Sequence, residues 1–349
     1  MGATGDVAVS VPQSEARELL TDLVSIPSES GEEAEAAERL VEFLESHGRE
    51  AWLDDFGNVR APADDGVLLT SHVDTVPGDI PVRVEDGVLW GRGSVDAKGP
   101  LCAMAVAAVE TGASFAGVVG EEYDSRGARH LVAERDAPDA VVNGEPSGWD
   151  GMTLGYRGLL SGTYVATSES GHTSRPENNA IQDAMDWWRR VEAAVAGDEW
   201  EPVFERVTTK PVGFSGGTSE DGLSVEATMD VQLRIPPSMT PGGVRELADG
   251  ELTAGTVRWK DAVPPTMQSP RTAPARAFRA VVRELGGEPR QLRKTGTSDM
   301  NVYAAAWDCP MVTYGPGDSA LDHTPTERID LAEYDRAIDV LTHVCDRLL

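Results

Sequence analysis

The spacing of apolar residues predicts helices and strands that alternate along much of the chain. Within residues 14–49, apolar positions recur at helical spacing on both sides of a turn at 27–31, which predicts two helices. Later segments with helical character are 100–109, 180–196, 275–285 and 331–348. Short apolar runs that predict buried strands are 66–71, 115–120, 140–143 and 311–314.

Side chains that can bind metal or act as acids follow three of these apolar runs. His72 comes directly after the first, Glu121 and Glu122 follow the second, and Glu145 lies just beyond the third. Strands that alternate with helices predict an α/β fold with a mostly parallel sheet and helices on both faces. Because ligands of open α/β sheets bind beyond the carboxyl ends of the strands, we expect a site at this edge.

The middle of the chain has a different pattern. Alternating runs at 160–167 and 223–235 lie on either side of the helical segment 180–196, without a site residue after each strand. This pattern predicts a smaller α+β domain inserted into the α/β domain, and 349 residues are enough for two domains. The predicted boundaries are 1–154 and 265–349 for the discontinuous α/β domain and 155–264 for the insertion.

Acidic residues dominate the charge of the chain. Asp and Glu number 59 against 30 Lys and Arg, which gives a formal net charge of -29. Nucleic acid is disfavoured as a partner, because its phosphates would meet a repelling field. The acids are dispersed along the chain and only four residues are lysine. Such a surface fits a halophilic protein, whose self-repulsion is screened by high intracellular salt.

Other compositional features predict a cytoplasmic protein. The three cysteines are too few and too scattered for a disulfide framework, so we expect buried thiols in a reducing compartment. No apolar stretch reaches 18 residues, so no membrane span is expected. Residues 1–12 have neither the basic region nor the apolar core of a secretory signal.

Two short motifs place candidate metal ligands. His72 and Asp74 are two residues apart, so on an extended segment Asp74 can hydrogen-bond the ring nitrogen that His72 does not offer to a metal. Taken alone, the same pair could lie in a solvated loop. Asp96 lies in the glycine-rich segment 91–99, which lacks the ending of a phosphate-binding loop. Glycines there would let the backbone turn so that Asp96 points into a site.

Glu121 and Glu122 form the most informative pair. On an extended segment their side chains point in opposite directions, so one can bind metal while the other faces an attacking water. A surface charge pair is the usual alternative, but the position after an apolar run, with Glu145 after the next run, argues against it. His323 adds a second imidazole in a loop before the last helix.

The candidate ligands comprise two imidazoles and three carboxylates. Nitrogen and oxygen ligands without thiolate suit Zn²⁺, with Co²⁺ or Mn²⁺ as possible substitutes. Five protein ligands are too many for one catalytic zinc with an open position, and they fit two metals bridged by one carboxylate. The five predicted ligands are His72, Asp96, Glu122, Glu145 and His323.

The combined motifs resemble a family of zinc-dependent exopeptidases and deacylases. This family includes acetylornithine deacetylase, succinyl-diaminopimelate desuccinylase and glutamate carboxypeptidases. The matching segments follow the family's order over nearly the whole chain. They are 71–77, 91–99, Glu121-Glu122 with Ser125, 127–128, 144–146, 171–174 and His323.

The resemblance implies a role for each candidate ligand. Asp96 would bridge the two metals, and His72 and Glu145 would complete one of the two sites. Glu122 and His323 would complete the other. Many members have Asp where this chain has Glu145, although aminoacylase-like members also use Glu there.

Catalytic and substrate-binding roles are implied in the same way. Asp74 would orient His72, and Glu121 would act as general base on the water and then as acid toward the leaving amine. The inserted domain would form a homodimer and carry His172, which would hold the substrate carboxylate or the oxyanion, either in its own subunit or in the partner's site. Arg234 would pair with a substrate α-carboxylate, unless it is an ordinary surface arginine. Further candidates for substrate binding are Asn178, Thr297 and Ser298.

The segment 294–301 resembles one branch of the family. Members of this branch release lysine or ornithine from the C-terminal glutamate of an amino-group carrier protein. Together with this resemblance, the acidic composition suggests a halophilic archaeon, in which the carrier route is expected to serve arginine biosynthesis. The resemblance therefore favours ornithine over lysine. The alternatives are a deacetylase, desuccinylase, dipeptidase or carboxypeptidase that acts on a free small substrate. A non-catalytic binding protein of the same fold is disfavoured, because no ligand and no base is missing.

Overall fold

The computed structural model describes residues 10–198 and 200–349. Most of segment 1–12, where the sequence predicts no secretory signal, lies outside these residues. The helices are α1 Gln13–Ser25, α2 Ala34–Ser46, α3 Lys98–Thr111, α4 Arg126–Glu134, α5 Ala180–Val195, α6 Pro241–Gly250, α7 Ala273–Glu284, α8 Asp299–Ala306 and α9 Leu331–Leu348. Across the described part of the chain, no helix is both long and apolar enough to cross a membrane.

The longest of the described strands, β9, β10 and β11, lie in the inserted segment. In chain order they are β1 Trp52–Leu53, β2 Val59–Ala61, β3 Asp64–His72, β4 Arg83–Glu85, β5 Val88–Trp90, β6 Ala113–Val118, β7 Val141–Gly144, β8 Gly151–Tyr156, β9 Gly158–Glu169, β10 Thr208–Thr218, β11 Ser224–Ile235, β12 Thr256–Val263, β13 Thr266–Met267, β14 Arg290–Lys294, β15 Met311–Thr313 and β16 Arg328–Asp330.

The chain forms two compact units. Of the described residues, the first comprises 10–154, 268–292 and 298–349, and the second comprises 155–198, 200–267 and 293–297. The sequence predicts an insertion at 155–264 and gives no indication that 293–297 belongs with it. That segment joins the second unit through hydrogen bonds, because the Arg157 side chain donates to the carbonyl of Thr295.

A sheet with a parallel centre organises the first unit. Its strand order includes β1-β2-β6-β3-β7-β15-β8, in which β3 runs parallel to β6 and β7, and β15 runs parallel to β7. Strands β2 and β8 pair antiparallel to their inner neighbours. All residues of β6 and β7 are buried, which explains why these strands read as continuous apolar runs rather than as alternating ones.

Two groups of helices cover this sheet. Helix α3 packs against α1, α9 and β3, while α4 packs against α8. Residues 98–109 of α3 are buried on every side of the helix. This burial explains why most of the side chains of α3 are small or apolar. A small sheet, β16-β5-β4, brings the chain near residue 90 beside the segment just before α9.

The second unit contains a four-stranded antiparallel sheet in the order β10-β11-β9-β12. Alternate residues of β11 are buried, and α5 packs against β11 and β9. The ring of Tyr164 on β9 stacks on Trp187 of α5 with the centroids 4.8 Å apart. These contacts give the second unit a hydrophobic core of its own.

Candidate metal centre

The candidate site begins where three neighbouring strands end. His72 is the last residue of β3, Glu145 follows β7, and Glu121 and Glu122 follow β6. Since β3 lies between β6 and β7 and runs parallel to both, their carboxyl ends meet at one edge of the sheet. The side chains of His72 and Glu145 are buried at that edge.

Asp96 directs one carboxylate oxygen toward each of two imidazoles. Its Oδ1 lies 3.2 Å from Nε2 of His72, and its Oδ2 lies 3.1 Å from Nε2 of His323. Nε2 of His323 is also 3.0 Å from Oε1 of Glu122. A carboxylate between two imidazole nitrogens has the arrangement of a bridging ligand between two metal ions.

Two overlapping groups of side chains can hold a metal. Ligand atoms of His72, Asp96 and Glu122 lie within 4.8 Å of one another, and so do those of His72, Glu121 and Glu145. All of these donors are imidazole nitrogens or carboxylate oxygens, which are the ligands of zinc and similar ions. The residues therefore fit a dinuclear metal site, and His72 belongs to both groups.

Asp74 contacts both the His72 imidazole and the backbone of Glu121 and Glu122. Nδ1 of His72 lies 2.9 Å from the backbone oxygen of Asp74 and 3.5 Å from its Oδ1. The backbone carbonyl of Asp74 is therefore the nearer acceptor for this ring nitrogen, and one carboxylate oxygen lies farther away. The carboxylate instead accepts the N–H of Glu121 at 3.0 Å, the N–H of Glu122 at 3.1 Å and the hydroxyl of Ser30 at 2.6 Å.

Glu121 and Glu122 lie in a turn, not on an extended segment as the sequence suggested. Strand β6 ends at Val118, and Gly120 adopts a left-handed conformation with φ of +74°. The Asp74 carboxylate then holds the two successive N–H groups of the pair. The two side chains are therefore separated by the turn and not by the alternation of a strand.

The electrostatics of the site favour cations. Partial burial and the nearby Glu145 raise the pKa of Glu121 well above its usual value. Hydrogen bonds to Asp96 and Glu122 raise the pKa of His323 to about 10. Burial by itself would lower the pKa of His72, but Asp74 and Asp96 raise it well above its ordinary value. A concentration of carboxylates that holds protons in this way binds divalent cations in their place.

The predicted substrate-binding residues are distributed over both units. In the second unit, Arg234 donates to the Thr297 hydroxyl at 3.3 Å. The exposed His172 shares a hydrogen bond of 2.8 Å with Ser174, and Asn178 donates to Asp186. In the first unit, the Ser298 hydroxyl caps α8 by accepting the N–H of Met300, which accounts for its burial.

Two buried carboxyl groups in the first unit were missed by the sequence reasoning. Asp299 begins α8, is hydrogen-bonded to Ser125, and has its pKa raised by burial to about 6. Glu327 lies four residues after His323 and has no exposed surface. The only available signal was their position beside residues already singled out, Ser298 and His323.

Fold and site together define a dinuclear metallohydrolase built on an α/β sheet. The model of peptidase family M20/M25/M40 matches residues 68–347, and the chain belongs to this family. It is accordingly a hydrolase of amide bonds.

Curated relatives match over nearly their whole length. A relative from Deinococcus radiodurans named LysW-lysine hydrolase is 43% identical, and the match covers 96% of this chain and 97% of the relative. A relative from Thermococcus kodakarensis named putative LysW-lysine/LysW-ornithine hydrolase is 41% identical, with coverage of 95% and 91%.

Solved structures share the fold at low sequence identity. A metallo-carboxypeptidase from Sulfolobus solfataricus aligns with a TM-score of 0.80 at 19% identity, covering 96% of this chain and 99% of that chain. A tripeptidase from Staphylococcus aureus also aligns with a TM-score of 0.80 at 19% identity, covering 97% and 99%. At this identity the likeness concerns the fold.

Proposed function

We propose that this chain releases ornithine or lysine from the C-terminal glutamate of an amino-group carrier protein, in arginine or lysine biosynthesis. The main support for hydrolysis is the position of the Asp96 carboxylate, whose two oxygens face the imidazoles of His72 and His323. The substrate is suggested by the relatives named for LysW conjugates, whose matches cover 96% and 95% of this chain. Three free cysteines fit a reaction in the reducing cytoplasm.

The metals we propose are two Zn²⁺ ions, with Co²⁺ or Mn²⁺ as substitutes. His72, Asp96, Glu122, Glu145 and His323 would hold them. When bound, such ions polarise a substrate carbonyl and make bound water more acidic. Asp74 would keep the ligand-bearing turn in place through the N–H groups that it accepts.

Glu121 is the proposed general base. A carboxylate oxygen of Glu121 lies within 4.8 Å of ligand atoms of His72 and Glu145. The set of five predicted metal ligands is complete without Glu121, so its carboxylate would be left to act as a base. Its carboxylate would take a proton from the attacking water as the oxygen bonds to the carbonyl carbon. It would then deliver that proton to the amine nitrogen as the C–N bond breaks.

A basic cavity in the second unit supports an anionic substrate. It has a volume of about 310 Å³, and its described lining residues, none of them acidic, are Arg157, Thr208, Lys210, Gln232, Arg234, Thr295 and Gly296. Burial lowers the pKa of Arg234. Burial, together with repulsion from Arg234, also lowers the pKa of Arg157. A carboxylate would interact favourably with the two guanidinium groups. The amino acid released from the carrier bears such a group.

The second unit is also the proposed dimer surface. Strand β10 lies at the edge of its sheet, and its Val212 and Phe214 side chains are 56% and 49% exposed. An exposed apolar edge strand is suited to pairing with a second copy of the chain. His172 would then complete the partner's site, as the family resemblance implies.

A comparison of substrates tests the proposal. The purified enzyme is given the carrier conjugates of ornithine and of lysine and, separately, N-acetylornithine, and the released amino acids are quantified. We expect kcat/KM to be higher for at least one carrier conjugate. Faster turnover of N-acetylornithine would instead identify a deacylase of free substrates with the same metal site. Loss of all three activities on removal of metal, with recovery on reloading, controls for a contaminating hydrolase.

A further inference from the structure

The Glu327 carboxylate holds the backbone of Asp96, the proposed bridging ligand. Its Oε1 accepts the N–H of Val95 at 2.9 Å and the N–H of Asp96 at 3.1 Å. Its Oε2 accepts from Nη1 of Arg92 at 2.7 Å. The Glu327 side chain has no exposed surface, so water is not available to replace these donors.

The same contacts tie together the two segments that carry Asp96 and His323. Strand β16 pairs antiparallel with β5, and the N–H of Gly91 donates to the carbonyl of Glu327. Arg92 also donates to the carbonyl of Thr324, next to His323. One carboxylate and one guanidinium therefore fix the distance between the two segments.

Such a clamp is needed because His323 is in a strained conformation. Its φ is +59°, in the left-handed region that non-glycine residues seldom adopt. A strained residue keeps its conformation only when the surrounding structure imposes it. The 3.1 Å approach of His323 Nε2 to Asp96 Oδ2 depends on both segments being held.

We propose that Glu327 is a positioning residue of the dinuclear centre. It sets the backbone of Asp96 and the segment of His323 so that Asp96, Glu122 and His323 would together hold the second of the two metals. It acts through these ligands and does not itself bind metal. Partners that orient metal ligands in this way typically contribute about 10- to 100-fold in metal affinity.

The E327Q variant tests the role with little change of shape. A glutamine has one acceptor oxygen and one NH₂ group, so in either orientation its NH₂ faces Arg92 or the N–H groups of Val95 and Asp96. Metal-free protein is titrated with Co²⁺, and the visible spectrum and the number of ions bound are recorded. We expect the second Co²⁺ to bind about 10- to 100-fold more weakly, with an altered spectrum. Circular dichroism should show an intact fold.

Two further variants complete the test. E110Q is the matched control, because the Glu110 carboxylate also accepts a backbone N–H, from Val11, and lies on the last part of α3; it should bind both ions like the wild type. The double variant R92M/E327Q lacks the guanidinium, so the new NH₂ group can turn toward the former position of Arg92 while the amide oxygen accepts the N–H groups of Val95 and Asp96. This variant should recover part of the affinity for the second Co²⁺.

Wild-type binding of both Co²⁺ ions by folded E327Q would overturn the proposal. The same holds if both ions weaken equally alongside a loss of thermal stability, since that indicates general damage. Should E327Q not fold, E327D replaces it, because the shorter side chain cannot reach Arg92 and the N–H groups together. A folded E327D that binds both ions normally would likewise overturn the proposal.

Discussion

The backbone N–H of Glu121 donates to Oδ1 of Asp74 at 3.0 Å. Asp74, which lies two residues after His72, therefore also holds the backbone of the proposed general base. The other oxygen of Asp74 accepts the N–H of Glu122 at 3.1 Å. One carboxylate therefore sets a metal ligand and a general base in adjacent positions. Both of its oxygens are used as acceptors, and this requirement excludes an amide in its place.

D74N should disturb the site without a change in side-chain size. Its NH₂ group would face one of the two N–H donors, so the turn that carries Glu121 and Glu122 would shift. We expect kcat/KM to fall about 10- to 100-fold, as for other residues that orient metal ligands. Steady-state kinetics and metal content should be measured together. D54N is the control, because Asp54 also accepts two backbone N–H groups, from Phe56 and Asn58.

E121Q should separate catalysis from metal binding. The amide cannot take a proton from water, so kcat should fall by about 10²- to 10⁴-fold, the usual contribution of a general base. Metal content should remain at the wild-type level, because the five other side chains still provide the ligands. Substantial activity in metal-loaded E121Q would refute the role of Glu121 as base.

Metal affinity should increase with pH. In the metal-free protein, the pKa of His323 is about 10 and that of His72 is raised well above its ordinary value, so protons compete with a metal for both imidazoles. A metal must displace these protons, and a rise in pH toward 10 lowers the cost of removing them. Calorimetric titrations in buffers of different ionisation enthalpy would count the released protons. Metal binding without net proton release at pH 7 would contradict this prediction.

Salt should stabilise the protein. With a net charge of -29, repulsion between dispersed carboxylates opposes the compact state at low ionic strength. The screening length falls from about 10 Å at 0.1 M salt to about 3 Å at 1 M. We expect the midpoint of thermal unfolding to rise by several degrees between 0.1 and 2 M KCl. A midpoint that is constant or falls over this range would argue against a halophilic adaptation.

The sequence was most informative where burial and chemistry are local. Strands β6 and β7 are buried throughout and β3 is buried from Val67 onward, while His72 ends β3 and Glu145 follows β7, so the site edge could be predicted. Contacts between distant segments leave no such pattern. The turn at Glu121 depends on the carboxylate of Asp74, which lies just beyond strand β3, and Glu327 acts on backbone N–H groups that any sequence provides.

The strands of the second unit were only partly predictable for a related reason. Most residues of β10 are exposed, so the strand lacks the apolar alternation that reveals a half-buried strand. Segment 293–297 joins the second unit through hydrogen bonds with Arg157, which have no periodicity in sequence. Hydrophobic pattern therefore defined the cores, while hydrogen bonds determined the details that it missed.

R234A should impair substrate binding more than the chemical step. If Arg234 pairs with the substrate carboxylate, its loss removes a charge-assisted hydrogen bond of about 1.5–3 kcal/mol, which corresponds to roughly 10- to 150-fold in KM. R234K should recover only part of this, because an ammonium does not provide the paired donors of a guanidinium. The control is K260A, since Lys260 is on the same sheet but already pairs with Asp230 at 3.4 Å. Equal KM values for R234A and K260A would show that the basic cavity does not bind the substrate.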